Sequence, residues 1–210
     1  AQPEVGRVLW VAANASTPMQ ERSITDAVQR AWSYQPVPTT VGPIAPDVAR
    51  QLAEEARQAY VNERNVRRAV DLQLRAFGAN PRDPEVAGNL AFLYLKMSPA
   101  QPELSRQLVL HAMALGSLAR RAARVDDWNT LAVASALTRR EADAINAYYV
   151  VLALTRDLDR SCKEALTAVD NYGNNLVVPV QTMMARIRQH GRNNESAYCV
   201  WPVHWRTTRG

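Results

Sequence analysis

The chain has 210 residues, enough for one good-sized domain or for one domain with a small appendage. Its 47% hydrophobic and 21% charged residues are near the average for soluble globular proteins and exclude wholesale disorder. The formal net charge of +5 would permit an acidic partner, but no basic cluster with interleaved aromatic residues accompanies it. We therefore predict no nucleic-acid binding, and the lack of an apolar run of about eighteen residues predicts no membrane span.

Residues 1–46 are predicted to form an N-terminal strand and helix followed by a proline-rich linker. Residues 5–12 are rich in β-branched and aromatic side chains, as strands are. Residues 19–33 place apolar side chains four apart, the spacing of one helix face. Four prolines between residues 34 and 46 favour extended structure and mark a domain boundary. The start at Ala1 is compatible with signal-peptide cleavage or with the edge of a fragment of a longer protein.

From residue 47 onward the apolar pattern is helical almost to the end of the chain. Pro84 suits the first turn of a helix, whereas Gly78 and Gly116 suit the stop of one. Outside the region around Trp128, helices are predicted over residues 47–62, 65–78, 84–96, 103–115, 158–171 and 177–190. A tail at 197–205 alternates large and polar residues, which predicts an extended edge strand, either paired with residues 5–12 or lying along the helices.

Two segments repeat each other thirty-four residues apart, which is the signature of a repeat of paired helices. The matching pairs are Ala53 and Ala87, Ala56 and Leu90, and Tyr60 and Tyr94. The next interval, from Ala87 to Trp128, is forty-one residues, so the array is irregular. A unit of this kind must stack on its neighbours to bury its apolar face, and the stack presents an extended surface.

These residues resemble the tetratricopeptide repeat family, in which small and large side chains alternate where helices pack closely. The matching residues are Ala56, Tyr60, Ala69, Ala76 and Pro81 in the first unit, Leu90, Ala91, Tyr94 and Ala112 in the second, and Trp128, Leu131, Ala132, Ala144 and Tyr148 in the third. Ala53, Gln73 and Ser135 depart from the family pattern. The resemblance implies an α-helical solenoid of about three hairpins over residues 47–156, with capping helices and an extended tail over 157–210.

The resemblance also implies that the inner helices line a concave partner-binding groove. The residues assigned to it are Glu54, Gln58, Glu85, Asn89, Phe92, Lys96, Asp126, Asn129 and Val133. A subset of the family binds the carboxylate at the end of a peptide. Of the corresponding positions in this chain, only Asn89 has the residue of that subset. Glu54 and Asp126 are acidic and would repel a terminal carboxylate. We therefore predict an extended or helical partner segment with apolar anchors and, where charge contributes, basic ones.

No motif points to catalysis, a cofactor or a metal. The histidines are His111, His190 and His204, and no pair has the spacing of a zinc site. Asp126 and Asp127 open a predicted helix, where acidic residues complement the macrodipole. The arginine cluster that ends at Arg124 lies near a turn between helices, where solvated charge normally accumulates.

The two cysteines, Cys162 and Cys199, have two interpretations. One is a disulfide, which would imply an oxidising compartment and would stabilise the fold by about 3 to 4 kcal/mol. The other is a pair of unrelated buried thiols in a cytosolic protein.

The leading functional prediction is a non-catalytic scaffold or adaptor that binds a partner protein, periplasmic or secreted, in assembly of a bacterial cell-envelope or secretion complex. The alternative is an accessory or regulatory domain of a larger enzyme or secretion component. A third hypothesis is an enzyme with its site between the N-terminal segment and the groove. Nothing in the sequence predicts an oligomeric state.

Overall fold

The computed structural model describes residues 44–119 and 123–189 together with Cys199. Within those ranges the chain forms eight α-helices and one short 3-10 helix, and no strand occurs in them. The predicted mainly α-helical fold is therefore confirmed. The predicted strand at 5–12, the helix at 19–33 and the tail at 197–205, apart from Cys199, lie outside the described residues.

The helices follow one another through short connections. Their bounds are α1 Pro46–Val61, α2 Val66–Ala79, α3 Pro84–Lys96, α4 Pro102–Leu118, α5 Val125–Leu137, α6 Glu141–Leu154, α7 Leu158–Tyr172 and α8 Val177–Gln189, with the 3-10 helix Gly173–Leu176 between α7 and α8. Each helix start that the sequence predicted lies within one residue of the observed start.

The helix starts follow from local chemistry. Pro46 and Pro84 occupy the first turns of α1 and α3, where the missing N–H of proline breaks no hydrogen bond. Asn65, Asp83 and Asp157 each accept a hydrogen bond from a backbone N–H in the first turn of the following helix. Such caps satisfy amides that have no partner within the helix, so the positions at which α2, α3 and α7 begin are well determined.

The predicted end of α4 is wrong, whereas the predicted end of α2 lies within one residue of the observed one. α2 runs through Gly78 and ends at Ala79, with Asn80 as its C-cap, so Gly78 is not a left-handed glycine beyond the helix end. α4 runs through Gly116, which is buried inside it, and reaches Leu118. The glycine with a left-handed backbone in the described residues is Gly173, with φ of 75°, where α7 gives way to the 3-10 helix.

The helices pack as three successive hairpins, α1 with α2, α3 with α4 and α5 with α6. Along the stack, α1 contacts α3, α3 contacts α5 and α5 contacts α7, so the odd-numbered helices form one layer. The last two helices depart from this order, because α8 packs more extensively against α6 than against α7. The described residues therefore form a repeat-like helical stack with an inner layer of four helices.

Two buried polar side chains join the first hairpin to the second. Gln73 donates from Nε2 to the carbonyl oxygen of Val86 at 2.9 Å. The Nε2 atom of His111 lies 3.2 Å from the carbonyl oxygen of Pro81, and its ring meets Phe77 edge-on. Since both side chains are buried, losing either contact would leave a polar atom without water. His111 thus has a structural place in the fold.

The core of the described residues forms two clusters, a small one between α1, α2 and α3 and a large one that extends from α3 to α8. Cys162 of α7 belongs to the large cluster and forms a disulfide with Cys199, with a Cα–Cα distance of 5.2 Å. The predicted disulfide is confirmed. Since both cysteines are buried, the bond fixes Cys199 against the face of α7 that packs into the core.

None of the helices in the described ranges combines the length and apolar character needed to cross a lipid bilayer.

Candidate binding groove

A cavity of about 570 Å³ lies between α3, α5 and α7. α5 forms its floor, since Thr130 and Val133 line the cavity and are nonetheless almost fully buried. α3 and α7 form the walls. Six of the residues assigned to a groove from the sequence line it, and they are Asn89, Phe92, Lys96, Asp126, Asn129 and Val133. We call this cavity the groove.

The other three assigned residues lie elsewhere. Glu54 and Gln58 are on α1 and outside the lining of the groove, where Glu54 accepts hydrogen bonds from Arg57 at 2.6 and 2.8 Å and from Gln58 at 2.7 Å. The hydrogen bonds from Arg57 above all, and that from Gln58, lower the pKa of Glu54 to about 2. Glu85 lies 3.9 Å from Arg124, an arginine of the lining, and is itself largely exposed.

The amino-terminal ends of α3, α5 and α7 meet in a network of ion pairs, which we call the ionic end of the groove. Arg124 donates from Nε and Nη2 to the two carboxylate oxygens of Asp127, at 3.1 and 2.8 Å, and from Nη1 to Asn89 Oδ1 at 3.3 Å. Arg160 donates to Asp126 at 3.2 Å and to Glu164 at 2.7 Å. Three carboxylates of the lining are therefore each held by an arginine.

Gly88 allows α3 to approach this network. A Cβ atom at Gly88 would lie 2.5 Å from Asp127 Oδ1 and 2.6 Å from Arg124 Nη2, closer than such atoms can come. Asp127 is buried, so its carboxylate has little room to retreat. The bidentate ion pair between Arg124 and Asp127 thus depends on the absence of a side chain at position 88.

The carboxyl-terminal ends of α3 and α7 meet at the other end of the groove, which we call the aromatic end. The hydroxyl of Tyr172 donates to the carbonyl oxygen of Leu95 at 2.8 Å and bridges the two helices. The ammonium of Lys96 lies 5.1 Å from the centre of the Phe92 ring and 5.7 Å from that of Tyr172. Tyr60 of α1 supports Phe92 from behind in an edge-on contact at 5.4 Å. Two aromatic rings therefore hold one ammonium group.

Burial also acts on the ionisable groups of the aromatic end. Burial lowers the pKa of Lys96 from its usual value, and the charge of Glu164 opposes this effect only in part. Burial raises the pKa of Tyr172 to about 12. At neutral pH the aromatic end accordingly contains a neutral phenol beside an ammonium group that is half removed from water.

Sequence reasoning missed the wall that α7 contributes, including Arg160, Lys163 and Tyr172. The contacts between successive inner helices recur at about the repeat period of thirty-four residues. Asp126 bonds to Arg160 and Asn129 to Glu164 across thirty-four and thirty-five residues, and Asn89 bonds to Arg124 across thirty-five. Continuing the repeat period into residues 158–171 would have placed α7 beside α5. Arg124, interpreted as a solvated turn residue, likewise belongs to the groove.

Among the described residues no three His, Cys, Asp or Glu side chains are grouped so as to hold a metal ion. Comparisons with protein-family models, with curated proteins and with solved structures found no match to this chain.

Proposed function

We propose that this protein is a non-catalytic scaffold that holds an extended segment of a partner protein in the groove. The observation that carries the proposal is the groove itself, about 570 Å³ in volume and built by three successive inner helices. Phe92, Leu95 and Val133 offer it apolar surface, and Asn129 and Asn171 offer amide groups for the backbone of a bound segment. The resemblance to the tetratricopeptide repeat family supports the same role.

The chemistry of the lining favours binding over turnover. A general base must be able to approach a substrate proton, and a carboxylate held by an arginine is poorly placed for that task. In the described part of the groove, Asp126, Asp127 and Glu164 are all held in this way. Their ion pairs fix the positions of α3, α5 and α7, which is what a preformed recognition surface requires.

We place the protein in the periplasm or cell envelope of a bacterium, or outside the cell, on the strength of its disulfide. Thiol titration of protein isolated from its native compartment under alkylating conditions tests this placement. We expect no free thiol, because Cys162 and Cys199 are the two cysteines of the chain. Recovery of two reactive thiols would indicate a reducing compartment.

The binding role is tested by blocking the groove. Thr167 lines the groove on α7, and Thr182 lies on α8, outside it. The two are matched, because each donates its hydroxyl proton to the carbonyl oxygen four residues earlier, at 2.8 Å. Thr167→Trp fills the groove with an indole, and Thr182→Trp adds the same side chain elsewhere.

The measurement is affinity capture from a cell-envelope extract, with thermal unfolding to show that both variants remain folded. We expect specific proteins that are retained by the wild type and by Thr182→Trp but lost with Thr167→Trp. Identical protein sets for all three would contradict a partner in the groove.

A further inference from the structure

The charges of the groove do not favour the basic partner that the sequence indicated. Asp126 and Glu164 share Arg160, and Asp127 is bound by Arg124 through both carboxylate oxygens. A basic side chain entering the ionic end would have to displace one of these arginines. It would also lie close to Arg124 and Arg160, so like charges would oppose its binding.

Lys96 is in the opposite situation. It is half-buried, and within the described residues no carboxylate lies in ion-pair distance of its ammonium and no hydrogen-bond acceptor reaches it. The faces of Phe92 and Tyr172 offset its charge, but a ring face is a poor substitute for an oxygen acceptor of N–H groups. The aromatic end therefore offers hydrogen-bond donors and a positive charge beside apolar surface from Leu95 and Phe92.

We propose that the aromatic end of the groove binds an aspartate or glutamate side chain from within the partner segment, with its carboxylate on Lys96 and a neighbouring apolar residue against Phe92. This inference rests on the proposed function and names the chemistry of the partner at that site. The carboxylate completes the coordination of the ammonium group, and the rings exclude water from the pair. A charge-assisted hydrogen bond in such surroundings is about twice as strong as one between neutral groups.

The carboxylate belongs to a side chain and not to the end of the partner chain. Of the family positions that grip a terminal carboxylate, this chain matches at Asn89 alone, and Lys96 is not among them. At the ionic end, Arg124 and Arg160 already form ion pairs with carboxylates of the protein itself. Lys96 is thus the cation of the aromatic end, suited to one acidic side chain.

The test uses a displayed library of random peptides fused at their carboxyl ends, so that no terminal carboxylate is present. The full chain is the target, as wild type and as Lys96→Met, Lys96→Arg and Arg188→Met. Methionine keeps the apolar stem of Lys96 and removes its charge. Arg188→Met removes one positive charge from an exposed position on α8, outside the groove, and is the control for net charge.

We expect the wild type to enrich peptides with an acidic residue at a constant distance from an aromatic or aliphatic one. Lys96→Met should lose this enrichment, and Lys96→Arg and Arg188→Met should keep it. A synthetic peptide of the enriched sequence, amidated at its end, should bind Lys96→Met about tenfold more weakly than wild type. Replacing its acidic residue with the matching amide should weaken binding to wild type equally and leave binding to Lys96→Met unchanged.

Other outcomes overturn the inference in distinguishable ways. The enriched peptides could instead be apolar or basic, bind Lys96→Met as well as wild type, and fail to bind Thr167→Trp. That result would refute the acidic anchor and leave the proposed function intact. Binding by a synthetic peptide with a free carboxyl end, and not by its amidated form, would assign the site to a chain terminus. Peptides that bind Thr167→Trp as well as wild type would contradict the groove as the binding site.

Discussion

Gly88 and Gly78 are both helical glycines, but their surroundings differ. Gly78 has no atom within 4 Å of the place where a Cβ would lie, whereas at Gly88 the carboxylate of Asp127 and the guanidinium of Arg124 occupy that place. Glycine in a helix interior is about 0.5–1 kcal/mol less stable than alanine, because it loses more backbone entropy on folding. Alanine at Gly78 therefore tests the effect of helix propensity alone, whereas alanine at Gly88 tests propensity together with packing.

We predict opposite effects for the two alanine variants. Gly78→Ala should raise the free energy of unfolding by about 0.5–1 kcal/mol, since the new methyl group meets nothing. Gly88→Ala should lower it by about 1 kcal/mol or more, because the methyl group displaces the Arg124–Asp127 pair and leaves a buried carboxylate poorly satisfied. Urea denaturation measures both. A gain at Gly88 equal to that at Gly78 would mean that the ion pair moves aside without cost.

Tyr172 provides a prediction about pH. Burial raises its pKa to about 12, above the ordinary value of 10, so folding favours the neutral phenol. The resulting stabilisation is complete below pH 10, where the tyrosine of the unfolded chain is also neutral, and is lost as the pH rises toward 12. We therefore expect the free energy of unfolding to fall with pH in this window, and to fall less steeply in Tyr172→Phe.

The comparison is made by urea denaturation at several pH values from about 9 to 11. Tyr148, whose pKa burial also raises, titrates in both proteins and does not contribute to the difference. At neutral pH Tyr172→Phe should cost about 0.5–1.5 kcal/mol for the lost hydrogen bond to Leu95. Parallel pH profiles for the two proteins would show that the phenol of Tyr172 is solvated.

The residues of the groove were predictable where helical periodicity decides which face points inward. Asn89, Phe92 and Val133 were assigned because the resemblance to the tetratricopeptide repeat family implies that these positions of α3 and α5 face a groove, and they do line it. The ion pairs were not predictable, since a charged residue at a helix end is compatible both with solvation and with a partner on another helix. Arg124 shows the difference, because its partners Asn89 and Glu85 belong to the preceding hairpin.

At the scale of single helices, the predicted starts and most predicted ends lie within one residue of the observed ones, and the end of α4 does not. A start carries local chemistry, such as Pro46 in the first turn of α1 or Asp83 as the cap of α3. The end at Gly116 was wrong because a glycine is tolerated in a helix when the following residues remain helical, as Ser117 and Leu118 do. Gly116 is buried within α4 and does not mark its end.

α7 is the helix that carries a disulfide bond. Its Cys162 is joined to Cys199 across thirty-seven residues, a loop whose closure should stabilise the folded state by about 3–4 kcal/mol. We predict that the double variant Cys162→Ala and Cys199→Ala loses about this amount, as measured by urea denaturation. Alanine is chosen because both sites are buried and a serine would bring a polar hydroxyl into the core.

Reducing agent is the control for this prediction. It should destabilise the wild type to the same degree and leave the double variant unchanged. α7 supplies a wall of the groove. The amidated acidic peptide should therefore bind the reduced wild type and the double variant more weakly than it binds the oxidised wild type. Equal stability of the oxidised protein and the double variant would mean that packing alone holds Cys199 in place.

At the scale of the whole molecule, the repeat period predicted which helices form hairpins but not how the core divides among them. The small cluster between α1, α2 and α3 contains six buried residues, three of them alanines, and Val48 and Val61 of α1 are more than half exposed. The large cluster includes Trp128, Tyr148 and the disulfide. Apolar burial, which dominates folding energy, is therefore unequal along the stack.

In a stack where each hairpin contacts its neighbours, such inequality should produce opening in stages. We predict that native-state hydrogen exchange will show the amides of α1 and α2 opening with a lower free energy than those of α5 and α6. The α5–α6 hairpin is packed on both sides and lies in the large cluster, so its amides should exchange only through global unfolding. The groove lies between α3, α5 and α7 and would then remain intact while the first hairpin opens, apart from the support that Tyr60 gives to Phe92. One common opening free energy for all four helices, with a shared dependence on urea, would instead show that the two clusters unfold as one cooperative unit.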